Sequence, residues 1–272
     1  MNLKNFEEPE WFRGRTEVMS GTPNQGAITG KSQWGEIIPD TEWSVYQRAI
    51  QLFRDLKVPF VLGGAFGLAG YTGRWRNTKD MDFFLRPSDK DKVVDALTKE
   101  GFEDYYTRLP YDRGWIYRAV DDDVIVDLIW GTPNRVTEVD DLWFEFATPI
   151  SIRGEAMHVL PAEELLYIKL FVLQRDRCDW PDLLNLLYAV GPRLRWDHVM
   201  RRLGPDKGLM GGLLQLFTWL APEIARKLPM EIQEQFHLQP KEGVRDLQGN
   251  VNVLDSRPWF SAFQPVDQAM RL

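Results

Sequence analysis

The sequence has almost no cysteine and no long apolar run. Cys178 is the one cysteine among 272 residues, which excludes an intrachain disulfide and gives no sign of an oxidising compartment. No stretch reaches the roughly 18 uncharged apolar residues of a membrane span. The first residues, MNLKNFEEPEWF, contain no apolar segment typical of a secretory signal. These absences predict a cytoplasmic protein with no membrane partner.

Histidine is also scarce, and basic residues are outnumbered by acidic ones. The three histidines lie far apart with no cysteine beside them, so zinc is not predicted. Lys and Arg number 33 against 40 Asp and Glu, a net charge of −7. This charge argues against a general nucleic-acid coat or a binder of anionic membranes, while a local basic patch remains compatible with it.

One local basic patch lies in the second half of the chain, with arginines at 193, 195, 201 and 202. Two interpretations stay open: a solvated helix face, or a landing surface for RNA phosphates. Three other features are assigned structural roles. Gly30-Lys31-Ser32 lacks the earlier glycine and preceding strand of a phosphate loop. Cys178 is predicted to be a small packed residue in a helical region. Trp75 and Trp130 are predicted to pack rather than to stack on a base.

The pattern of residues predicts an α/β (α+β) fold, a small mixed sheet followed by a mostly helical half. Residues 1–40 are predicted to be an N-terminal tail, because residues 14–40 are rich in Gly, Thr, Ser and Pro. Residues 41–160 form the mixed α/β part and residues 161–238 the helical part. Residues 239–272 are a C-terminal tail, predicted to dock on the body through Trp259, Phe260 and Phe263.

Hydrophobic periodicity predicts the elements within these parts. The predicted strands and hairpins cover 58–62, 80–85, 115–120 with 124–130, and 150–152 with 157–160. The predicted helices cover 41–56, a segment starting at Gly63-Gly64, a segment capped by Ser88 and ending at Gly101, 162–175, 182–190, 196–203 and 212–228.

Three aspartates are predicted to converge on one edge of the sheet. Asp80 and Asp82 lie two residues apart in a strand, so their side chains leave the same face. Asp127 interrupts the apolar run VIVDLIW, where an unpaired carboxylate is costly to bury. Together the three would suit hard divalent cations such as Mg²⁺, and a pair of such ions suits phosphoryl or nucleotidyl transfer.

A structural explanation for the same residues stays open. Asp80 could end a turn, Asp82 could face solvent, and Asp127 could pair with Arg118. The glycine pair Gly63-Gly64, one strand and one helix upstream, favours the functional interpretation. Glycines at a strand end let a phosphate approach the backbone N–H groups of a helix N-terminus.

The segments LGGAFG, WRNTKDMDFFL and VIVDLIW resemble the DNA polymerase beta-type nucleotidyltransferase superfamily. The order Arg76-Asn-Thr-Lys-Asp80-Met-Asp82 is similar to the AbiEii-like group of abortive-infection toxin nucleotidyltransferases. The later stretch MHVLPAEELLYIKLFVLQRDRCDWPDLLNLL also matches that group, through Lys169, Arg175, Asp179 and Asp182. Cys178 departs from the basic residue usual before Asp179, and the glycine pair runs into Ala-Phe-Gly.

The resemblance implies a nucleotidyltransferase core with roles for these residues. Asp80, Asp82 and Asp127 would hold two Mg²⁺ ions, with Asp127 as third ligand or as general base. Gly63, Gly64, Arg76, Thr78 and Lys169 would bind the nucleoside triphosphate, ATP among them. A solvated surface position is the alternative for Lys169. Asp179 and Asp182 are predicted to begin a helix, with Arg175 bracing them.

These residues predict a magnesium-dependent transferase of a nucleoside monophosphate to an RNA end, a protein or a small molecule. The acidic net charge tilts the acceptor toward a protein or a small molecule. Two alternatives are retained: a non-catalytic nucleotide-binding protein on the same fold, and a toxin held inactive by an antitoxin partner.

Overall fold

The computed structural model describes residues 33–241 and 246–254, and within them a seven-stranded mixed sheet is covered by helices on both faces. The strands are β1 Val61–Leu62, β2 Asp80–Phe84, β3 Glu103–Asp104, β4 Ile116–Asp121, β5 Val124–Ile129, β6 Thr148–Ile152 and β7 Glu155–Val159. The helices are α1 Asp40–Asp55, α2 Gly64–Thr72, α3 Lys90–Lys99, α4 Leu142–Glu145, α5 Ala162–Leu170, α6 Trp180–Val190, α7 Trp196–Leu203, α8 Lys207–Leu220, α9 Pro222–Ala225, α10 Met230–Gln235 and α11 Leu247–Leu254. The predicted α/β fold class is confirmed.

The strand order is β3-β4-β5-β2-β1-β7-β6. Both predicted hairpins form, as the antiparallel pairs β4–β5 and β6–β7. The second hairpin joins the same sheet because β7 pairs with β1 in parallel. The parallel pair β2–β5 places Asp82 directly opposite Asp127, as the predicted carboxylate cluster requires.

Strand alternation divides the sheet into two differently covered faces. One face carries an apolar cluster with α1 and α3, to which β2 and β5 contribute Met81, Phe83, Val126 and Leu128. The opposite face carries Phe84 and Ile129, which pack with the helices that follow residue 161. Because side chains alternate along a strand, the three aspartates leave on this second face. The carboxylates therefore lie on the side that the helical half covers.

The helical half shares its core with the sheet. Val61, Phe84 and Ile129 belong to the same buried cluster as Leu165 in α5 and Leu187 in α6. Strand β7 ends at Val159 and α5 begins at Ala162, and the apolar core continues across this connection. Among the described residues, no helix combines the length and apolar character needed to cross a membrane.

Both predicted tails contribute to the core where they are described. Trp34 and Ile38 are buried next to α1, and the Trp34 ring stacks on Trp75 with centroids 5.1 Å apart. Trp130 is likewise buried, and its indole nitrogen donates to a backbone carbonyl. In α11, Val251 is buried. The predictions for the Gly30-Lys31-Ser32 segment and for the anchors Trp259, Phe260 and Phe263 lie outside the described residues.

The predicted helix over 162–175 ends early, at Leu170. The chain then folds back on itself, and Leu173 forms an antiparallel bridge with Cys178. Cys178 is therefore exposed in a loop, and the prediction of a packed helical cysteine is wrong. The predicted helix over 212–228 is interrupted at Ala221, since Pro222 lacks the N–H that would continue α8 and instead begins α9.

The start of α3 also differs from its prediction. Ser88 was expected to cap the helix, but it lies in a 3-10 turn over Pro87–Asp89, and Asp89 is the residue that precedes α3. The proline at the start of this turn fixes the backbone for a tight bend, which shifts the helix start by one residue.

Candidate active site

Three carboxylates meet on the face of the sheet that the helical half covers. Asp80 and Asp82 project from β2, and Asp127 projects from the neighbouring strand β5. One oxygen from each lies within 4.8 Å of the other two. Asp127 is only 1% exposed, whereas Asp80 and Asp82 are partly accessible. The predicted clustering of the three aspartates is confirmed.

Full ionisation of the three carboxyl groups is unfavourable in this environment. Burial raises the pKa of Asp127 to about 7, although the neighbouring Arg118 opposes that rise. Burial also raises the pKa of Asp82, and the charges of Asp80 and Asp127 raise it further. Carboxylates brought this close repel one another unless a positive charge lies among them. The arrangement therefore favours a bound cation.

Arg118 supplies part of that positive charge. It lies on β4 directly opposite Asp127, and its Nη2 and Nε are 2.9 and 3.2 Å from Asp127 Oδ2. Its Nη2 also lies 3.9 Å from Asp80 Oδ2. The pairing of Asp127 with Arg118, an alternative to the cluster in the sequence, thus exists together with the cluster. Asp127 Oδ1 is buried and has no hydrogen-bond partner among the described residues.

The turn between β1 and α2 passes directly over Asp82. The Gly63 N–H donates to the Asp82 carbonyl oxygen at 3.0 Å. Gly64 has φ +52°, and a β-carbon there would overlap Asp82 Oδ2. The two glycines therefore let the backbone approach the carboxylates, and they place the N-terminus of α2, with its free N–H groups, beside them.

Thr78 lies just before β2, which begins at Asp80. Its hydroxyl donates to Asp80 Oδ1. The strand does not reach back to Thr78, yet the side chain still joins the cluster through this hydrogen bond. Thr78 is thus placed at the site, where it orients one carboxylate oxygen of Asp80.

Lys169 is buried rather than solvated, so the surface alternative is wrong. It is 6% exposed, and its Nζ donates to Asp179 at 2.7 Å and to Asp182 at 2.9 Å. Its charge also lowers the pKa of Asp82, against the stronger effect of burial. The ammonium group is therefore held by two carboxylates at the start of α6, Asp179 just before the helix and Asp182 in its first turn, while its charge acts on the aspartate cluster from a distance.

Asp179 precedes α6, as predicted, but its side chain does not cap the helix. Its carboxylate accepts from Lys169 and Arg177, and within the described chain it makes no bond to the first N–H groups of α6. Burial alone would raise the pKa of Asp179, but Lys169 and Arg177 lower it below its ordinary value. Arg177 fills the bracing position predicted for Arg175, which forms no ion pair among the described residues.

Arg76 lies at the outer edge of this ion-pair group. Its Nη2 is 3.8 Å from Asp182 Oδ2, and its side chain is 62% exposed. Lys169, Asp182 and Arg76 therefore connect α5, α6 and the loop that leads into β2. Most of the Arg76 side chain therefore stays accessible beside Asp182.

The arginines around α7 form two different kinds of contact. Arg195 pairs with Glu163 at 3.2 Å, and Arg202 pairs with Asp140 at 2.6 Å and Glu164 at 3.0 Å. Arg195 and Arg202 thus form ion pairs with buried glutamates. Neither of the two interpretations of the patch, a solvated helix face or a surface for RNA phosphates, included these pairs.

The other two arginines of the patch lie on the surface. Arg201 forms an exposed pair with Asp197. Arg193 is also exposed and donates to the Ala189 carbonyl.

Sequence reasoning missed this buried group on α5. Glu163 and Glu164 are 7% and 0% exposed, and Glu164 also contacts His198 at 2.6 Å. The signal available was the acidic pair inside the otherwise apolar helix AEELLYIKL. Two adjacent acids in an apolar stretch require cationic partners when buried.

Residues 45–220 match the model of a family described as "Uncharacterised nucleotidyltransferase". The match covers more than half of the chain and contains the glycine pair and all three aspartates. The chain belongs to this nucleotidyltransferase family. The predicted superfamily is thereby confirmed, while the finer resemblance to the AbiEii-like toxin group stays a prediction. No curated relative matches the chain.

Solved structures of nucleotidyltransferases are similar to the chain at low identity. The antibiotic-resistance factor ANT(2'')-Ia is 14% identical, with a TM-score of 0.45 over 64% of this chain and 95% of its own. The lincosamide antibiotic adenylyltransferase LnuA is 17% identical, with a TM-score of 0.39 over 54% and 96%. An antigenic nucleotidyltransferase-like protein from Paracoccidioides brasiliensis is 17% identical, with a TM-score of 0.48 over 69% and 92%. Membership of the family rests on the match over residues 45–220.

Proposed function

We propose that this nucleotidyltransferase is metal-dependent and transfers a nucleoside monophosphate from a triphosphate to an acceptor hydroxyl. The observation that carries the proposal is the convergence of Asp80, Asp82 and Asp127, with one oxygen of each within 4.8 Å of the others. Three carboxylates so placed on adjacent strands are stabilised by a shared cation.

The donor set fits magnesium. All three side chains offer hard oxygen ligands, which Mg²⁺ prefers. Asp127 Oδ1 is buried and has no partner among the described residues, so a cation would satisfy an acceptor that is otherwise costly to bury. Asp80, Asp82 and Asp127 would hold two ions, whose bound charge would stabilise the triphosphate and the leaving pyrophosphate.

The surrounding residues are suited to bind the triphosphate. Gly63 and Gly64 place the N-terminus of α2 beside the carboxylates, and helix N-termini favour phosphate oxygens. Arg76 is largely exposed and can contact two phosphate oxygens at once. We assign Lys169 a supporting part, because its ammonium holds Asp179 and Asp182, and Asp182 in turn lies beside Arg76.

The transfer itself exchanges one bond to phosphorus for another. The acceptor hydroxyl oxygen bonds to the α-phosphorus of the triphosphate, the bond to pyrophosphate breaks, and the hydroxyl loses its proton. With Asp127 serving as a metal ligand, that proton passes to solvent water, and bound cations would make the hydroxyl more acidic. Arg118 beside Asp127 would stabilise the ionised carboxylate that a cation needs.

The contacts of the arginine patch favour a protein or small-molecule acceptor over RNA. Arg195 and Arg202 already pair with Glu163 and Glu164, so two of the four arginines are unavailable to phosphates. The net charge of −7 points the same way, because it repels a polyanionic acceptor at long range.

A label-transfer assay tests the proposal. The protein is incubated with Mg²⁺ and each α-phosphate-labelled nucleoside triphosphate, together with cell RNA, cell protein or a small-molecule extract. We expect transfer from at least one nucleotide to one acceptor pool, and a loss of at least about 100-fold in Asp82→Asn. Asp123→Asn is the matched control, because Asp123 lies fully exposed in the β4–β5 turn.

The outcomes separate the competing functions. Transfer that survives in Asp82→Asn would overturn the metal assignment. Nucleotide binding by the unmodified protein without any transfer would favour the non-catalytic alternative. The toxin alternative has its own test: expression of the chain should arrest growth, and a paired Asp80→Ala and Asp82→Ala change should abolish that arrest. Growth unaffected by the unmodified chain would contradict a toxin.

A further inference from the structure

The guanidinium of Arg118 forms hydrogen bonds with only one of the two Asp127 carboxylate oxygens. Both its Nε and its Nη2 donate to Oδ2, at 3.2 and 2.9 Å. Oδ1 is buried and has no hydrogen-bond partner among the described residues. One oxygen is thus held by the protein, and the other has no partner among the described residues, in a carboxylate that lies in the cluster with Asp80 and Asp82.

We infer that Arg118 is a positioning residue that makes Asp127 a one-oxygen metal ligand and so favours Mg²⁺ over Ca²⁺. The inference rests on the proposed metal-dependent function. Mg²⁺ takes ligands in a compact octahedral arrangement, whereas Ca²⁺ accepts six to eight oxygens and often binds both oxygens of a carboxylate. Asp127 Oδ2 already accepts two hydrogen bonds from Arg118, which use both of its acceptor positions, so Oδ1 is the oxygen available to a cation.

The position of Arg118 is itself fixed at several points. Residues 118 and 127 are direct partners in the β4–β5 ladder, so their side chains leave the sheet side by side. The Arg118 backbone N–H donates to the Tyr111 hydroxyl at 2.8 Å. The guanidinium also lies over the Tyr105 ring, 5.9 Å from its centre. These contacts hold the arginine beside Asp127, as an orienting role requires.

A purely electrostatic role for Arg118 makes a different prediction. If the arginine only neutralised the cluster, any cation at residue 118 would serve. Arg118→Lys keeps the charge but replaces the planar fork with a single ammonium on a flexible stem, which does not hold one carboxylate oxygen in the same way. The lysine variant therefore distinguishes orientation from charge.

Metal competition measures the effect without relying on activity. Mn²⁺ binding is followed by electron paramagnetic resonance, and Mg²⁺ or Ca²⁺ is added to displace it from the unmodified protein, Arg118→Lys and Arg118→Met. We expect the ratio of Ca²⁺ to Mg²⁺ affinity to rise at least about 10-fold in both variants. Arg135→Met is the matched control, since Arg135 pairs with Asp112 on the surface, and its ratio should stay unchanged.

Each outcome bears on one claim. Circular dichroism melting confirms that each variant is folded before titration, and the conservative lysine variant provides the measurement if Arg118→Met does not fold. An unchanged ratio in the folded variants, or a lysine variant that matches the unmodified protein, would overturn the positioning role. Absence of Mn²⁺ binding in the unmodified protein would instead overturn the proposed metal-dependent function.

Discussion

Gly64 lies so close to Asp82 that a β-carbon at residue 64 would overlap the Asp82 carboxylate. Gly64 also has φ +52°, a conformation that other residues adopt only with strain. The start of α2 and the aspartate cluster therefore depend on one another. Neither can keep its position if this residue gains a side chain.

Gly64→Ala should accordingly weaken both the fold and metal binding at the proposed site. We expect a loss of about 1–3 kcal/mol in the free energy of unfolding, because the new methyl group must displace Asp82 or the α2 backbone. Mn²⁺ affinity should fall at least about 10-fold for the same reason. Urea unfolding and Mn²⁺ titration measure the two effects.

Gly208→Ala is the control for that substitution. Gly208 also lies in the first turn of a helix, α8, and a β-carbon there meets no neighbour within 4 Å among the described residues. Its replacement should be neutral or stabilising by up to about 1 kcal/mol. Equal effects of the two alanine variants would contradict the close contact at Gly64.

The raised pKa of Asp127 predicts how stability changes with pH in the absence of divalent cations. The pKa is about 7 in the folded protein, and about 4 in an unfolded chain. Between these values the folded protein binds more protons than the unfolded one. The free energy of unfolding should therefore fall as pH rises from about 4 to 7, by a few kcal/mol in order of magnitude. Asp82, whose pKa is also raised, contributes in the same direction.

Urea unfolding in EDTA, followed by tryptophan fluorescence across that pH range, measures this slope. Asp127→Asn should flatten it, because the amide carries no charge at any of these pH values. Asp123→Asn, in the exposed turn, should leave it unchanged. A slope that is identical in Asp127→Asn and in the unmodified protein would show that the buried carboxyl does not titrate as expected.

Lys169 should contribute strongly to the free energy of unfolding. Lys169→Met leaves Asp179 and Asp182 without their shared ammonium, and Asp179 is 8% exposed. Breaking a buried ion pair from one side costs about 3–5 kcal/mol. Adding Asp179→Asn to Lys169→Met should recover part of the loss, since it removes the more buried unpaired charge. A double variant no more stable than Lys169→Met would argue against the pairing.

Arg201 and Arg202 are adjacent in sequence but should differ in their effect on stability. Arg202→Met leaves Glu164 short of a cation at 0% exposure and should cost about 3 kcal/mol. Arg201→Met removes only an exposed pair with Asp197 and should change stability by less than about 1 kcal/mol. Thermal unfolding of the two variants measures the difference, and similar melting temperatures would contradict it.

The aspartate cluster could be predicted from the sequence because it depends on a local rule. Alternation along a strand places Asp80 and Asp82 on one face. The same rule places Asp127 on the face of its strand that Val126 does not occupy. Only the pairing of β2 with β5 had to be supplied by tertiary structure. The match of LGGAFG and of the aspartate pair to a known pattern supplied the expectation that these strands meet.

The surroundings of Lys169 could not be predicted in the same way. Its periodic pattern continued to residue 175, but α5 ends at Leu170 and the Leu173–Cys178 bridge folds the chain back toward the helix. The pairing of Lys169 with Asp179 follows from that reversal. The Glu163–Arg195 pair likewise joins residues 32 positions apart, a separation that periodicity does not address.

The apolar cluster that joins the sheet to the helical half also bears on how substrates enter. Turning one half away from the other would expose side chains such as Leu165 and Leu187, at about 25 cal/mol for each Å² uncovered. Relative motion of two segments is expected unless the interface between them is large and hydrophobic, and this interface is an apolar core. The spacing between the sheet and the helical half beside the three aspartates should therefore stay constant when a substrate binds.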